Sequence, residues 1–94
     1  MIVNFGDKET ESLYVTGRSK KFSPNILKTA IRKLDMVNAA VRLEDLRIPP
    51  ANRFEMLKGD LKDLYSIRIN DQYRIIFKFK DKNAHNVEIV DYHK

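Results

Sequence analysis

Ninety-four residues allow one domain, and 18 Lys plus Arg against 13 Asp plus Glu leave a formal charge of +5. With 43% hydrophobic and 33% charged residues, the composition is that of a folded globular chain rather than a disordered one. The lack of Cys excludes a disulfide framework, thiolate chemistry and Cys-based metal centres, and the two His, at 85 and 93, offer little to a His-containing metal motif. No apolar run exceeds three residues, whereas a membrane span needs about 20 and a signal-peptide core about 7–15. A small cytoplasmic protein with a basic surface, no metal and no membrane partner is expected.

In chain order, Ile2-Val3-Asn4-Phe5 is a short β-prone run closed by Gly6-Asp7. Asp7 is placed to cap a helix over Lys8–Val15 that buries Leu13 and Tyr14, with Gly17 where a left-handed C-terminal glycine belongs. A basic connector, Arg18 to Phe22, follows. Ser23-Pro24 is the clearest helix start, with Ser at the N-cap and Pro at the first helical position. Ile26, Leu27, Ala30, Ile31, Leu34, Val37 and Val41 then recur at spacings of three and four, so one apolar stripe runs along a helix from 24 to 40. Lys28, Arg32, Asp35 and Asn38 fall on its other side. Leu43–Arg47 can add a turn before Ile48-Pro49-Pro50-Ala51-Asn52 stops any helix.

Beyond residue 53 the pattern becomes that of strands: Phe54–Lys58 ended by Gly59-Asp60, then Leu64–Ile69, Tyr73–Phe79 and Val87–Val90, with a turn at Asp81-Lys82-Asn83. Tyr65, Ile67 and Ile69 alternate with Ser66 and Arg68; Tyr73, Ile75, Phe77 and Phe79 alternate with Arg74 and Lys78. Putting both apolar sets on one face pairs Ile69 with Tyr73, Ile67 with Ile75 and Tyr65 with Phe77. That register requires an odd-numbered loop and sets Arg68 directly opposite Arg74 on the other face. Two adjacent like charges repel, which is sensible if an anion binds between them. The predicted fold class is α+β: an antiparallel sheet of 4–5 strands with two helices from the first half packed on one side.

Positive charge is concentrated. Residues 17–34 carry Arg18, Lys20, Lys21, Lys28, Arg32 and Lys33 and no acid. A one-sign patch suits a phosphate backbone, although the bland reading is a solvated helix face. A second group, Arg53, Lys58, Arg68, Arg74, Lys78 and Lys80, is interleaved with Phe54, Tyr73 and Tyr92, offering charge for phosphates and rings for unpaired bases. Metal-free RNA cleavage needs a base for the ribose 2′-OH, cations for the phosphorane and an acid for the leaving 5′-oxygen. Glu55 is the candidate base, Lys58, Arg68 and Arg74 the clamps, and His93 the acid. Tyr92 is placed to stack on a base, and Asp91 to orient His93. Each has an ordinary reading beside it: a surface acid, solvent-facing strand arginines, an edge-of-core tyrosine, a terminal histidine. His85, next to a turn, reads as surface.

The segments Leu57-Lys58-Gly59-Asp60, Tyr65 to Phe77 and Val87-Glu88-Ile89-Val90-Asp91-Tyr92-His93 resemble HigB-type toxins of the RelE/ParE toxin–antitoxin superfamily. The start of the chain and Arg47 to Arg53 are similar as well, so the resemblance covers essentially all of residues 1–94 as one toxin domain. It implies a microbial-RNase-type fold and metal- and cofactor-independent cleavage of mRNA in the A site of the 70S ribosome. It also implies neutralisation by a HigA-like helix-turn-helix antitoxin, with a dimer of heterodimers among the stoichiometries open to the complex. Carried over by motif, Lys58, Arg74, Asp91, Tyr92 and His93 are expected to act in cleavage. Glu55 stands where some relatives have His. Two other readings stay open: a ParE-like gyrase inhibitor and a non-catalytic RNA-binding protein.

Overall fold

The computed structural model describes residues 1–57, 59 and 63–92. Helix α1 covers Lys8–Thr16. The Asp7 carboxylate accepts the Thr10 amide at 3.0 Å, satisfying one of the free donors of the first turn. Gly17 ends the helix at φ 75°, a conformation that glycine adopts without a Cβ clash, and its N–H donates to the Leu13 carbonyl at 2.8 Å. Leu13 is fully buried and Tyr14 half-buried, its hydroxyl donating to Asp35 at 2.8 Å and so tying α1 to α2.

Helix α2 covers Pro24–Ala39. Ser23 takes the N-cap position, but its hydroxyl bonds the Asn25 side chain rather than a helix amide. Ile26, Ala30, Leu34 and Val37 are buried as the stripe requires, with Leu27 and Ile31 half-buried beside them. Val41 leaves the stripe because the helix stops at Ala39, and it is exposed. Asn38 is not on the solvent face: half-buried, it accepts the Ile2 amide at 2.8 Å. Two 3-10 turns follow, Leu43–Arg47 and Pro50–Asn52.

Among the described residues four strands follow: β1 (Glu55–Met56), β2 (Tyr65–Arg68), β3 (Tyr73–Lys80) and β4 (Asn83–Asp91), antiparallel and in sheet order β1-β2-β3-β4. The fold is therefore α+β as expected. The helices and the sheet share one core, in which Leu13, Ile26, Ala30, Leu34 and Val37 meet Ile67, Ile69, Ile75, Phe77, Ala84, Val87 and Ile89. Residues 2–5 do not make a regular strand. They touch β4 through two isolated parallel bridges, Ile2 with Ala84 and Phe5 with Val87.

The expected register holds. Tyr65 faces Phe77, Ile67 faces Ile75, and Arg68 faces Arg74. The Ile69 amide donates to the Tyr73 carbonyl at 2.9 Å around the odd loop Asn70–Gln72. Asn70 builds that loop itself, its Oδ1 accepting the amides of Gln72 and Tyr73, each at 2.8 Å. The β3–β4 turn uses Asp81 and Lys82 at φ 53° and 67°, which matches the right-handed twist of the flanking strands.

Strand β4 begins four residues before the expected Val87. The register shifts between Ile76 and Lys78, and Asn86 sits at φ 55°. One extra residue there flips the inward parity, so Val87 and Ile89 point to the core on one side of the bulge and Ala84 on the other. Alternation read along the chain stops at such a flip. β1 is shorter than the predicted Phe54–Lys58, whose Lys58 lies outside the described residues.

Candidate functional site

The sheet face away from the helices carries Ser66 and Arg68 of β2, Arg74 of β3 and Glu55 of β1, since Glu55 pairs with Ser66 and Arg68 with Arg74. Tyr92, just past β4, brings its ring to this face, 5.4 Å from the Arg74 guanidinium. The hairpin loop holds that end of the chain: the Tyr92 amide donates to the Gln72 carbonyl at 2.6 Å, and Gln72 Nε2 donates to an Asp91 oxygen at 3.1 Å. Asn70 thus shapes a loop that holds Asp91 and, in turn, places Tyr92 beside Arg74.

Arg74 lies at the centre and is 6% exposed. This corrects the reading of strand arginines as solvent cover. Its Nε donates to the Ser66 hydroxyl at 2.9 Å and its Nη2 to the Arg53 carbonyl at 2.6 Å, with a Glu55 oxygen 3.4 Å from Nη2. Burial pulls the guanidinium below its ordinary pKa; Glu55 and Tyr92 oppose that, and Arg68 and Arg53 add to it. An arginine nevertheless stays charged, and two of its five donors are fixed by Ser66 and Arg53. The outward edge faces Glu55, whose side chain is half-exposed. Arg68 points outward and pairs with the fully exposed Asp71, which relieves its repulsion with Arg74.

The structure brings Glu55, Arg68, Arg74 and Tyr92 together, with Arg53 joining through its carbonyl, whereas Asp91 pairs across the strands with Tyr73 and so stands on the other face, held by Gln72. It does not bring Tyr73 there. That ring lies on the core face, edge-on to Phe22 at 5.6 Å. Arg18, Lys20, Lys21, Lys28 and Arg32 are exposed along the connector and α2. His93, like Lys58, lies outside the described residues. A groove of about 610 Å³ beside α1, lined by Glu9, Ser12, Thr16, Arg18, Ser19 and Lys20, holds none of the cluster around Arg74.

Sequence reasoning missed three members of this environment. Ser66 is fully buried beneath Arg74. Asn52 is fully buried, its Nδ2 donating to the Leu46 carbonyl at 3.1 Å. Lys33, counted with the surface charges, is 4% exposed and donates to Asn52 Oδ1. Its burial was legible, because 33 is three after Ala30 and four before Val37, inside the apolar stripe. Burial lowers its pKa, with Arg32 and Arg68 adding to the effect. Among the described residues no group of three His, Asp or Glu is placed to hold a metal ion, and no helix is long and apolar enough to cross a membrane.

Comparison with known proteins places these residues in context. The profile of a family described as the RelE-like toxin of type II toxin–antitoxin system HigB matches residues 3–93. The chain is 44% identical over 95 aligned residues to Toxin HigB-1 of Vibrio cholerae, covering 100% of this chain and 99% of that one. It is 43% identical over 67 residues to an uncharacterized protein of Haemophilus influenzae, covering 71% of this chain and 66% of that one.

Proposed function

This chain belongs to the family of HigB-like, RelE-type toxins of type II toxin–antitoxin systems, and on that premise we propose that it is a ribosome-dependent endoribonuclease that cuts mRNA in the A site. The observation that carries the proposal is the anchored guanidinium of Arg74, held between the Glu55 carboxylate and the Tyr92 ring on the open sheet face. Fixed donors aimed at one edge are what a phosphorane with developing charge needs. A scissile phosphate would take Glu55's place on that edge, leaving Glu55 beside it.

On this reading Glu55 accepts the proton of the ribose 2′-OH. The 2′-oxygen forms its bond to phosphorus as the bond to the 5′-oxygen breaks, and His93 protonates the departing oxygen. The products are a 2′,3′-cyclic phosphate and a free 5′-hydroxyl. Arg74 and Lys58 balance the charge of the phosphorane, Tyr92 stacks on a base exposed in the A site, and Asp91 orients His93. Arg18, Lys20, Lys21, Lys28, Arg32, Arg53 and Arg68 supply charge toward ribosomal and messenger RNA. A type II toxin implies an antitoxin partner; we assign a HigA-like helix-turn-helix protein to that role and the cytoplasm as the place of action.

The test incubates the protein with translating 70S ribosomes and maps mRNA 5′ ends, with plasmid supercoiling by gyrase measured in parallel. New 5′ ends inside A-site codons are expected, and His93→Gln should slow their appearance by about 10²–10⁴. Intact mRNA beside inhibited supercoiling would reject the nuclease in favour of a gyrase inhibitor. Binding to ribosomes with neither effect would leave a non-catalytic RNA-binding protein.

A further inference from the structure

Two basic side chains are buried among the described residues, Lys33 at 4% exposure and Arg74 at 6%. Each is hydrogen-bonded to the segment 46–53, at the adjacent residues Asn52 and Arg53. Lys33 Nζ donates to Asn52 Oδ1. Asn52 Nδ2 donates to the carbonyls of Leu46 at 3.1 Å and Ile48 at 3.4 Å, and its backbone amide to Pro49 at 2.9 Å. The next residue, Arg53, takes the left-handed conformation at φ 44°, and its carbonyl accepts Arg74 Nη2 at 2.6 Å.

We propose that Lys33 is a positioning residue for Arg74, acting through Asn52 and the Arg53 carbonyl; the catalytic consequence rests on the nuclease reading above. Lys33 holds the acceptor end of the Asn52 amide. The donor end is thereby directed at Leu46 and Ile48, which closes the segment on itself. Closure keeps Arg53 in a backbone conformation that non-glycine residues seldom adopt. That conformation presents its carbonyl to Arg74. Ser66 fixes the Nε edge of the guanidinium and Arg53 the Nη2 edge, so the plane has two anchors. With the Nη2 anchor lost, the bond to Ser66 no longer holds the plane by itself and opens more often, exposing the Nε–H to exchange.

The charge of Lys33 is an expensive way to fill space. An apolar side chain of similar length would occupy the site without desolvating an ammonium group. What the ammonium supplies and a methyl group does not is a donor for Asn52. The effect at the reacting phosphate is one of geometry, and a displacement of about 1 Å at a catalytic group can lower a rate about 10²-fold.

The experiment compares the full-length wild type with Lys33→Met, Lys33→Gln and Arg74→Lys. Hydrogen exchange of the Arg74 Nε–H is followed by NMR against the backbone amides of β3, and single-turnover mRNA cleavage is measured on ribosomes. Lys33→Met is expected to speed Arg74 Nε–H exchange about tenfold, the equivalent of a lost hydrogen bond, while the β3 amides keep their protection. Cleavage should slow by about 10²-fold, with ribosome affinity unchanged. Lys33→Gln keeps a donor and should recover part of both losses; it also carries the comparison if Lys33→Met does not fold. In the Arg74→Lys background the cleavage cost of changing Lys33 should vanish. Unchanged Nε–H exchange in both Lys33 variants would overturn the proposal, as would an undiminished cost in the Arg74→Lys background. A wild type that cuts no mRNA would reject the nuclease reading alone, because the exchange measurement decides the positioning role by itself.

Discussion

Arg68 and Arg74 face each other across β2 and β3, yet truncating them should have very different effects on stability. Arg74→Ala leaves the fully buried Ser66 hydroxyl and the Arg53 carbonyl without their donor. Each stranded group costs about 1–3 kcal/mol. The contact with the Tyr92 ring adds about 0.5–1 kcal/mol. The Glu55 pair adds less than about 1 kcal/mol because its carboxylate is half in water. Relief of the guanidinium's own desolvation, and of its repulsion with Arg68, offsets part of this. A net loss of about 3 kcal/mol is expected, a large share of the roughly 5–15 kcal/mol that holds a domain together. Arg68→Ala loses a pair whose Asp71 partner is fully exposed, worth about 0.5 kcal/mol or less, and also relieves the repulsion. Urea unfolding followed by far-UV circular dichroism checks the contrast. With slopes of about 1–3 kcal/mol/M, Arg74→Ala should lower the midpoint by about 1–3 M and Arg68→Ala by a few tenths. Equal midpoints for the two variants would refute the view that Arg74 is a buried, anchored group. The same contrast makes Arg74→Lys the better probe of catalysis, since loss of activity in Arg74→Ala would mix chemistry with unfolding.

Changing Lys20, Lys21, Lys28 and Arg32 together should flatten the salt dependence of ribosome binding by roughly 0.7–0.9 in log–log slope per lost phosphate contact, and an unchanged slope would assign this face to solvent or to the antitoxin. Gly17→Ala should cost about 1–2 kcal/mol in thermal or urea unfolding, because the residue sits at φ 75° with open space around it, so conformation alone sets the penalty. Burial, and then Asp7, raise the pKa of Glu88, with Lys21 opposing them. The folded state therefore holds the Glu88 proton more tightly than the unfolded chain, and this contribution to stability is complete in acid and lost as pH rises through the folded-state pKa. Glu88→Gln should accordingly be the more stable protein near neutrality and match the wild type in acid; a difference independent of pH would contradict the assignment.

Much of this molecule is local and was open to reading from the chain. Asp7, Gly17 and Ser23-Pro24 bound the two helices because caps and φ preferences act within a few residues. The β2–β3 register followed from side-chain parity, which admits one pairing if Ile67, Ile69, Ile75 and Phe77 are all to be buried, and that pairing put Arg68 opposite Arg74 in advance. The cluster of Glu55, Arg74 and Tyr92 was named from chemistry and motif. What the tertiary structure decided concerns depth and partners. Alternation can assign Arg74 to the face away from the helices, but it cannot reveal that Ser66, Arg53, Glu55 and Tyr92 cover it there, because these come from three separate segments. Parity fails at Asn86, where a bulge exchanges the two faces of β4. Lys33 lies on the apolar stripe, but charge alone argued for solvent; a buried ammonium is tolerated only when a buried acceptor meets it, and Asn52 is supplied from 19 residues away by a turn that folds back onto α2.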